Sequence, residues 1–140
     1  MAEIRVWAPG ADHVELVRER RRVAMQAAGG GWWRHEDPDL GHGSDYAFRV
    51  DGEGPFPDPR SPWQPQGVHG PSRHIDHGRF AWSDAGWQPP PLPAALIYEL
   101  HVGTFTREGT FTGVLDRLDH LVDLGVAHVE LMPVAAFPGR

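Results

Sequence analysis

Asp45-Tyr46-Ala47-Phe48-Arg49-Val50-Asp51 is the stretch on which the fold turns. Tyr46, Phe48 and Val50 alternate with Ala47 and Arg49, the period of two of a half-buried strand. The same alternation recurs upstream. Residues 3–8 set Ile4, Val6 and Ala8 on one face, with Arg5 and Trp7 on the other. Residues 13–18 align Val14 with Leu16, and residues 22–27 align Val23, Met25 and Ala27. Residues 32–36 follow the Gly29-Gly30-Gly31 turn as the second arm of a hairpin. Short strands with turn residues between them predict a mainly β fold, an immunoglobulin-like β-sandwich. The cysteine pair of antibody domains is missing, because the chain has no Cys.

Downstream the pattern breaks. Gly54-Pro55-Phe56-Pro57-Asp58-Pro59 cannot form a central strand, since each Pro lacks a ladder donor. Residues 52–71 are predicted to be irregular, with strands returning at 72–76 and 80–83. Gln88-Pro89-Pro90-Pro91-Leu92-Pro93 reads as a stiff, extended linker. A sandwich over residues 1–87, a linker over 88–95 and a second unit over 96–140 are therefore expected.

In that second unit, residues 96–102 form a nearly continuous apolar strand. Phe111, Val114, Leu115, Leu118, Leu121, Val122 and Leu124 fall at helical spacing, which predicts one helix over 111–124. Gly125 suits a left-handed C-terminal cap, and residues 127–134 read as a second apolar strand. Strand, helix and strand in this order predict a βαβ unit with parallel strands. Two strands alone leave apolar surface open. The chain is therefore expected to be a truncation, interrupted at Arg140.

Composition narrows the function classes. The net charge is −6 and no basic stripe is present, which argues against nucleic acid and against anionic lipid. No Cys means no disulfide and no thiolate metal site. Glu3 and Arg5 interrupt the first apolar residues, so no signal peptide is read. No apolar run is long enough for a membrane span, and a cytoplasmic protein is expected. His69, His74 and His77 lack the spacing of a metal site. No metal and no cofactor are implied.

A family resemblance rests on particular stretches. Ile97-Tyr98-Glu99-Leu100-His101-Val102-Gly103-Thr104-Phe105-Thr106, then Glu108-Gly109-Thr110-Phe111, resembles the first barrel strand of the α-amylase superfamily, glycoside hydrolase family 13. Leu118, Leu121 and Leu124-Gly125-Val126, then Val129-Glu130-Leu131-Met132-Pro133-Val134, resemble its first helix and second strand. Three further stretches resemble its trehalose-releasing members: Arg5-Val6-Trp7-Ala8-Pro9; Pro57-Asp58-Pro59-Arg60-Ser61 with Gln64-Pro65; and Gly67-Val68-His69-Gly70-Pro71-Ser72. Branching and debranching members share the Tyr-Glu-Leu/Val-His strand but differ in that loop.

The resemblance implies a starch-module-like sandwich followed by the incomplete βαβ start of a (β/α)8 barrel. It implies a retaining hydrolase that cuts the α-1,4 bond next to the trehalose end of maltooligosyl trehalose. Such enzymes hold two carboxyl groups about 5 Å apart. The catalytic residues would lie beyond Arg140, so none is assigned here and this chain alone is expected to be inactive. The partner of the full-length enzyme would be an α-glucan or maltooligosyl trehalose. The alternatives are a fragment of a glycogen branching or debranching enzyme, and a non-catalytic glucan-binding module.

Three side chains stand as substrate-binding candidates: His101, Trp63 and Trp33. His101 lies nearest the C-terminal end of its strand, where barrel active sites lie. Glu99 and Glu130 accompany it, and filling a barrel interior is their simpler role. All six Trp precede residue 88, so any aromatic platform for sugar rings belongs to the first unit. Trp32 and Trp33 are adjacent on a strand and must face opposite ways, which sends one of them into the core. For Trp63, packing two domains together is the simpler role.

Residues 96–135 are expected either to dock non-natively or to drive self-association of the truncated chain, because open strand edges and apolar patches pair readily. Light scattering over a dilution series should show mass rising with concentration. A monomer at every concentration would contradict this.

Overall fold

The computed structural model describes residues 2–138. Contacts divide the chain into two units, Met1–Ala81 with Ala136–Arg140, and Trp82–Ala135. The first break falls just ahead of the Pro-rich segment 88–95.

The first unit contains β1 (Ala2–Trp7), β2 (Val14–Arg18), β3 (Arg21–Ala24), β4 (Gln26–Ala27), β5 (Trp32–Asp37), β6 (Asp45–Val50), β7 (Glu53–Phe56) and β8 (Ser72–Arg73). One sheet has the order β1-β5-β4; the other has the order β3-β2-β6-β7, with β8 also on β6. All these pairings are antiparallel. Ile4 and Val6 from the first sheet meet Val14, Leu16, Tyr46 and Phe48 from the second in one buried cluster with Met25 and Leu40. Two sheets closed over one core make a β-sandwich. Leu16 and Phe48 are cross-strand partners at its centre, each 1% exposed.

Several expectations for this unit need correcting. Residues 22–27 are not one strand. The chain leaves the second sheet at Ala24, drops the Met25 side chain into the core and joins the first sheet at Gln26. The Met25 N–H still bonds the Val14 carbonyl at 2.8 Å, so the crossing wastes no donor. Residues 53–56, read as irregular, form β7. It pairs on one side only, with β6, and an edge position is where a strand tolerates Pro. Farther on, β8 stops at Arg73, and no strand forms at 80–83. The Asp76 carboxylate accepts the Gly78 N–H at 2.9 Å and caps a short 3₁₀ turn, His77–Arg79, which diverts the chain.

The second unit holds β9 (Ile97–Leu100), α1 (Val102–Phe105), α2 (Phe111–Leu115), α3 (Leu118–Asp123) and β10 (His128–Leu131). The two strands are parallel, with Ile97 beside His128 and Leu100 beside Leu131. Strand β9 is shorter than the predicted 96–102, because the Thr104 and Phe105 N–H groups both turn back to the His101 carbonyl. Strand β10 is shorter than 127–134, and Pro133 can donate no ladder bond beyond it.

The single helix predicted over 111–124 is two helices. Between them the Arg117 N–H bonds the Val114 carbonyl, a tight i−3 bond, next to Asp116, a weak residue for a helix interior. Thr110 caps α2 through a 3.1 Å bond from the Gly113 N–H. Gly125 closes α3 at φ +79, with Gly125 N–H to Val122 O and Val126 N–H to Leu121 O. That bond pair is a Schellman cap, and Val126 packs on the same cluster as Leu121. Leu100, Val114 and Leu121 form the small core of this unit.

Leu16→Ala should therefore cost about 2–5 kcal/mol of stability in urea titrations followed by tryptophan fluorescence. Leu115→Ala, at a position 63% exposed, should leave the midpoint nearly unchanged.

Candidate functional site

The irregular segment after β7 is tied to the sandwich through a buried carboxylate. Asp58 is 8% exposed. Its side chain accepts the Tyr46 hydroxyl at 2.8 Å and the Arg60 N–H at 2.8 Å. Its own N–H donates to the Ser72 hydroxyl at 2.8 Å, and the Ser61 N–H donates to its carbonyl. Both β6 and β8 are thereby tied to the loop between β7 and β8. A buried polar group is stable only when its partners are present, and here they are. Burial, then the adjacent Asp58 carboxylate, pushes the Tyr46 phenol well above its usual pKa.

A second tie lies alongside. Arg73 donates to Asp45 through two bonds, 2.6 and 2.9 Å, the forked geometry that suits guanidinium and carboxylate. The hydrogen bond with Arg73 holds the Asp45 carboxyl below the usual range, against a smaller opposing effect of burial. The same guanidinium stands 5.0 Å from the Trp63 ring centroid.

An open cavity of about 370 Å³ lies beside these ties, with Asp45 and Tyr46 among its lining residues. Val17, Ala47, Pro57, His69 and Pro71 are also among its lining residues. Val17 and Ala47 are cross-strand partners on the outward face of the second sheet, since neighbouring Leu16 and Phe48 enter the core. Glu19 and Asp45 supply carboxylates to a mainly apolar lining. Such a cavity suits a neutral ligand with apolar faces and hydroxyl edges.

The sequence-predicted residues do not converge. Trp63 is half-buried, with Arg73 over its ring and His42 tilted against it at 5.9 Å. Trp33 is the inward member of its pair. It packs against the sandwich core and donates its indole N–H to the Ala8 carbonyl at 3.2 Å. Trp32 faces outward, with Arg5 and Arg60 guanidinium groups 5.1 and 5.5 Å from its ring. His101 is exposed in the other unit, immediately after β9 and at the N-terminal end of α1. Glu99 and Glu130 are exposed side by side on β9 and β10. Among the described residues, no group of three His, Cys, Asp or Glu side chains could hold a metal ion. No helix among them is long and apolar enough to cross a membrane.

Sequence reasoning missed the cavity and the Asp58 tie. The Pro-Asp-Pro segment was visible, but the signal that it meets Tyr46 and Ser72 is a three-way match of residues far apart in the chain.

With this geometry, residues 2–64 match the family model of carbohydrate-binding module 48, the isoamylase N-terminal domain. Beyond the module, the chain is similar to malto-oligosyltrehalose trehalohydrolase of Arthrobacter ramosus, 51% identical over 96% of this chain and 24% of the relative. The 1,4-alpha-glucan branching enzyme of Vibrio parahaemolyticus is 36% identical over 95% of this chain and 20% of its own length. A crystal structure from Salmonella typhimurium assigned to the alpha amylases superposes with a TM-score of 0.90 at 39% identity, over 98% of this chain and 24% of that one. The chain thus spans about a quarter of the trehalohydrolase it matches.

The raised Tyr46 pKa has a definite sign. The folded state holds the phenol proton more tightly than the unfolded chain, so its stabilising contribution is complete below about pH 10 and declines above it. Denaturant titrations from pH 8 to 11 should show this decline, and Tyr46→Phe should flatten it. At pH 7, Asp58→Ala should cost about 1–3 kcal/mol by leaving the Tyr46 hydroxyl buried without its acceptor.

Proposed function

We propose that this chain is the N-terminal part of a retaining glycoside hydrolase that cuts the α-1,4 bond beside the trehalose end of maltooligosyl trehalose. The carrying observation is the 51% identity to a trehalohydrolase along nearly the whole chain. The lower identity to a branching enzyme does not favour the alternative. In this reading, residues 1–87 are the module, 88–95 the linker, and 96–140 the first strand, helical segment and second strand of a (β/α)8 barrel. Parallel β9 and β10, covered on the Leu100 side by α2 and α3, are what such a start requires. The catalytic carboxylates belong to later strands, and these 140 residues alone release no trehalose.

Within the whole enzyme, Glu99 and Glu130 fill the barrel interior, and His101 stands at the strand end that faces substrate. The module binds an α-glucan chain in the cavity lined by Val17 and Ala47, and Trp63 packs under Arg73. The simple packing role of Trp33 is favoured by its place against the core.

Extending the reading frame beyond codon 140 and assaying the product on maltotriosyl trehalose tests the reading. Trehalose should be released, and Val17→Arg, which fills the cavity, should raise KM about tenfold, or about 1.4 kcal/mol, with little change in kcat. A stop codon at that point, or a product inert toward this substrate, overturns the enzyme reading.

A further inference from the structure

The outward face of the first sheet carries features the cavity does not use. Strands β1 and β5 pair with Trp7 opposite Trp32, Arg5 opposite Arg34 and Glu3 opposite Glu36. Directly opposed residues share a face, and Ile4 and Val6 between them point into the core. Gln26 of β4 stands opposite Arg34 and extends the same face. It is therefore an aromatic pair bordered by guanidinium, amide and carboxylate groups.

Trp7 is 57% exposed, yet its ring is held. The indole N–H donates to the Gly30 carbonyl at 3.1 Å. The next residue, Gly31, has φ +81, and a Cβ there would stand 2.6 Å from Pro9 Cβ and 3.1 Å from the Trp7 indole nitrogen. The turn is shaped to the edge of the ring. Trp32 differs: Arg5 and Arg60 already sit near its ring. Trp7 is left as a flat, fixed and open plate.

A fixed ring loses little freedom on binding. Its apolar face suits the C–H face of a pyranose, and Arg34 and Gln26 offer N–H donors to hydroxyls at the rim. Glu3, 3.9 Å from both Arg5 and Arg34, offsets their charge, so the face favours a neutral polyol over an anion. We infer that Trp7 is the stacking residue of a second α-glucan site, on the opposite outer face of the sandwich from the cavity. The inference rests on the proposed glucan-binding reading and adds to it a second contact for long chains. Two sites on one module raise the hold on a polymer well above that on a short oligosaccharide.

Titration of the ¹⁵N-labelled chain with maltoheptaose, followed through the indole N–H signals, tests it. The Trp7 signal is identified by its loss in Trp7→Phe. It should move saturably, and should still do so in Val17→Arg, whose cavity is filled. Trp7→Leu, which keeps an apolar side chain, should lower retention on amylose at least fivefold. If Trp7→Leu does not fold, the titration of the unmodified chain decides alone. A Trp7 signal that stays still while the Ala47 and Gly70 amides move overturns the second site and leaves the cavity reading intact. A Trp7 shift that vanishes in Val17→Arg overturns it as well, by reducing it to an echo of the cavity. If no signal moves, glucan binding by the module falls and the second site falls with it.

Discussion

The Asp58 carboxylate is the constraint on which the irregular half of the sandwich depends. A strand can satisfy its backbone groups against a neighbour; the Pro-rich segment after β7 cannot, because Pro has no N–H to give. Asp58 substitutes for the missing ladder. It gathers the Tyr46 hydroxyl and the Arg60 N–H onto one side chain, while Ser72 receives its N–H. Without that hub the segment would keep only the Arg73–Asp45 fork and a few backbone bonds to hold its path. The cost of burying a charge is offset only by these partners, so the hub works as a unit.

The sandwich presents two outer faces of different character. Over the second sheet, the ordered segment encloses a mainly apolar hollow with two carboxylates among its lining residues. Over the first, an open ribbon carries Trp7 and Trp32 with arginines set opposite one another. Like charges placed directly across a ladder repel, yet Arg5 and Arg34 share Glu3, and Arg5 lies near the Trp32 ring. The chain is acidic in sum, but its cations are placed where rings and carboxylates can use them.

Much of the sandwich was legible because a period of two is a local signal. Ile4, Val6, Val14, Leu16 and Phe48 could be assigned to the core from alternation alone, and all are buried. Gly125 was legible as a cap for the same reason, since its role depends on its immediate neighbours. The crossing at Met25 was not, because both halves of that stretch alternate; only the partner strands reveal that they belong to different sheets. The helix break at Asp116–Arg117 was hidden by an apolar spacing that continues through it. The candidate site was hardest to read. Trp33 and Trp32 could be sent to opposite faces, but which one enters the core depends on the register with β1. The Asp58 tie depends on contacts between residues 12 and 14 positions apart, with Tyr46 and with Ser72.

The order of the strands bears on how the chain is made. Strand β1 is at the edge of its sheet and pairs with β5 alone, Ala2 against Asp37. At about 5–20 residues per second, a ribosome completes β1 roughly 1.5 to 6 seconds before the end of its partner. During that interval Ile4 and Val6 have no sheet to join, and the β2–β3 hairpin is the first pairing that nascent chain can complete. The opposite sheet can therefore template the core before the first strand finds its place.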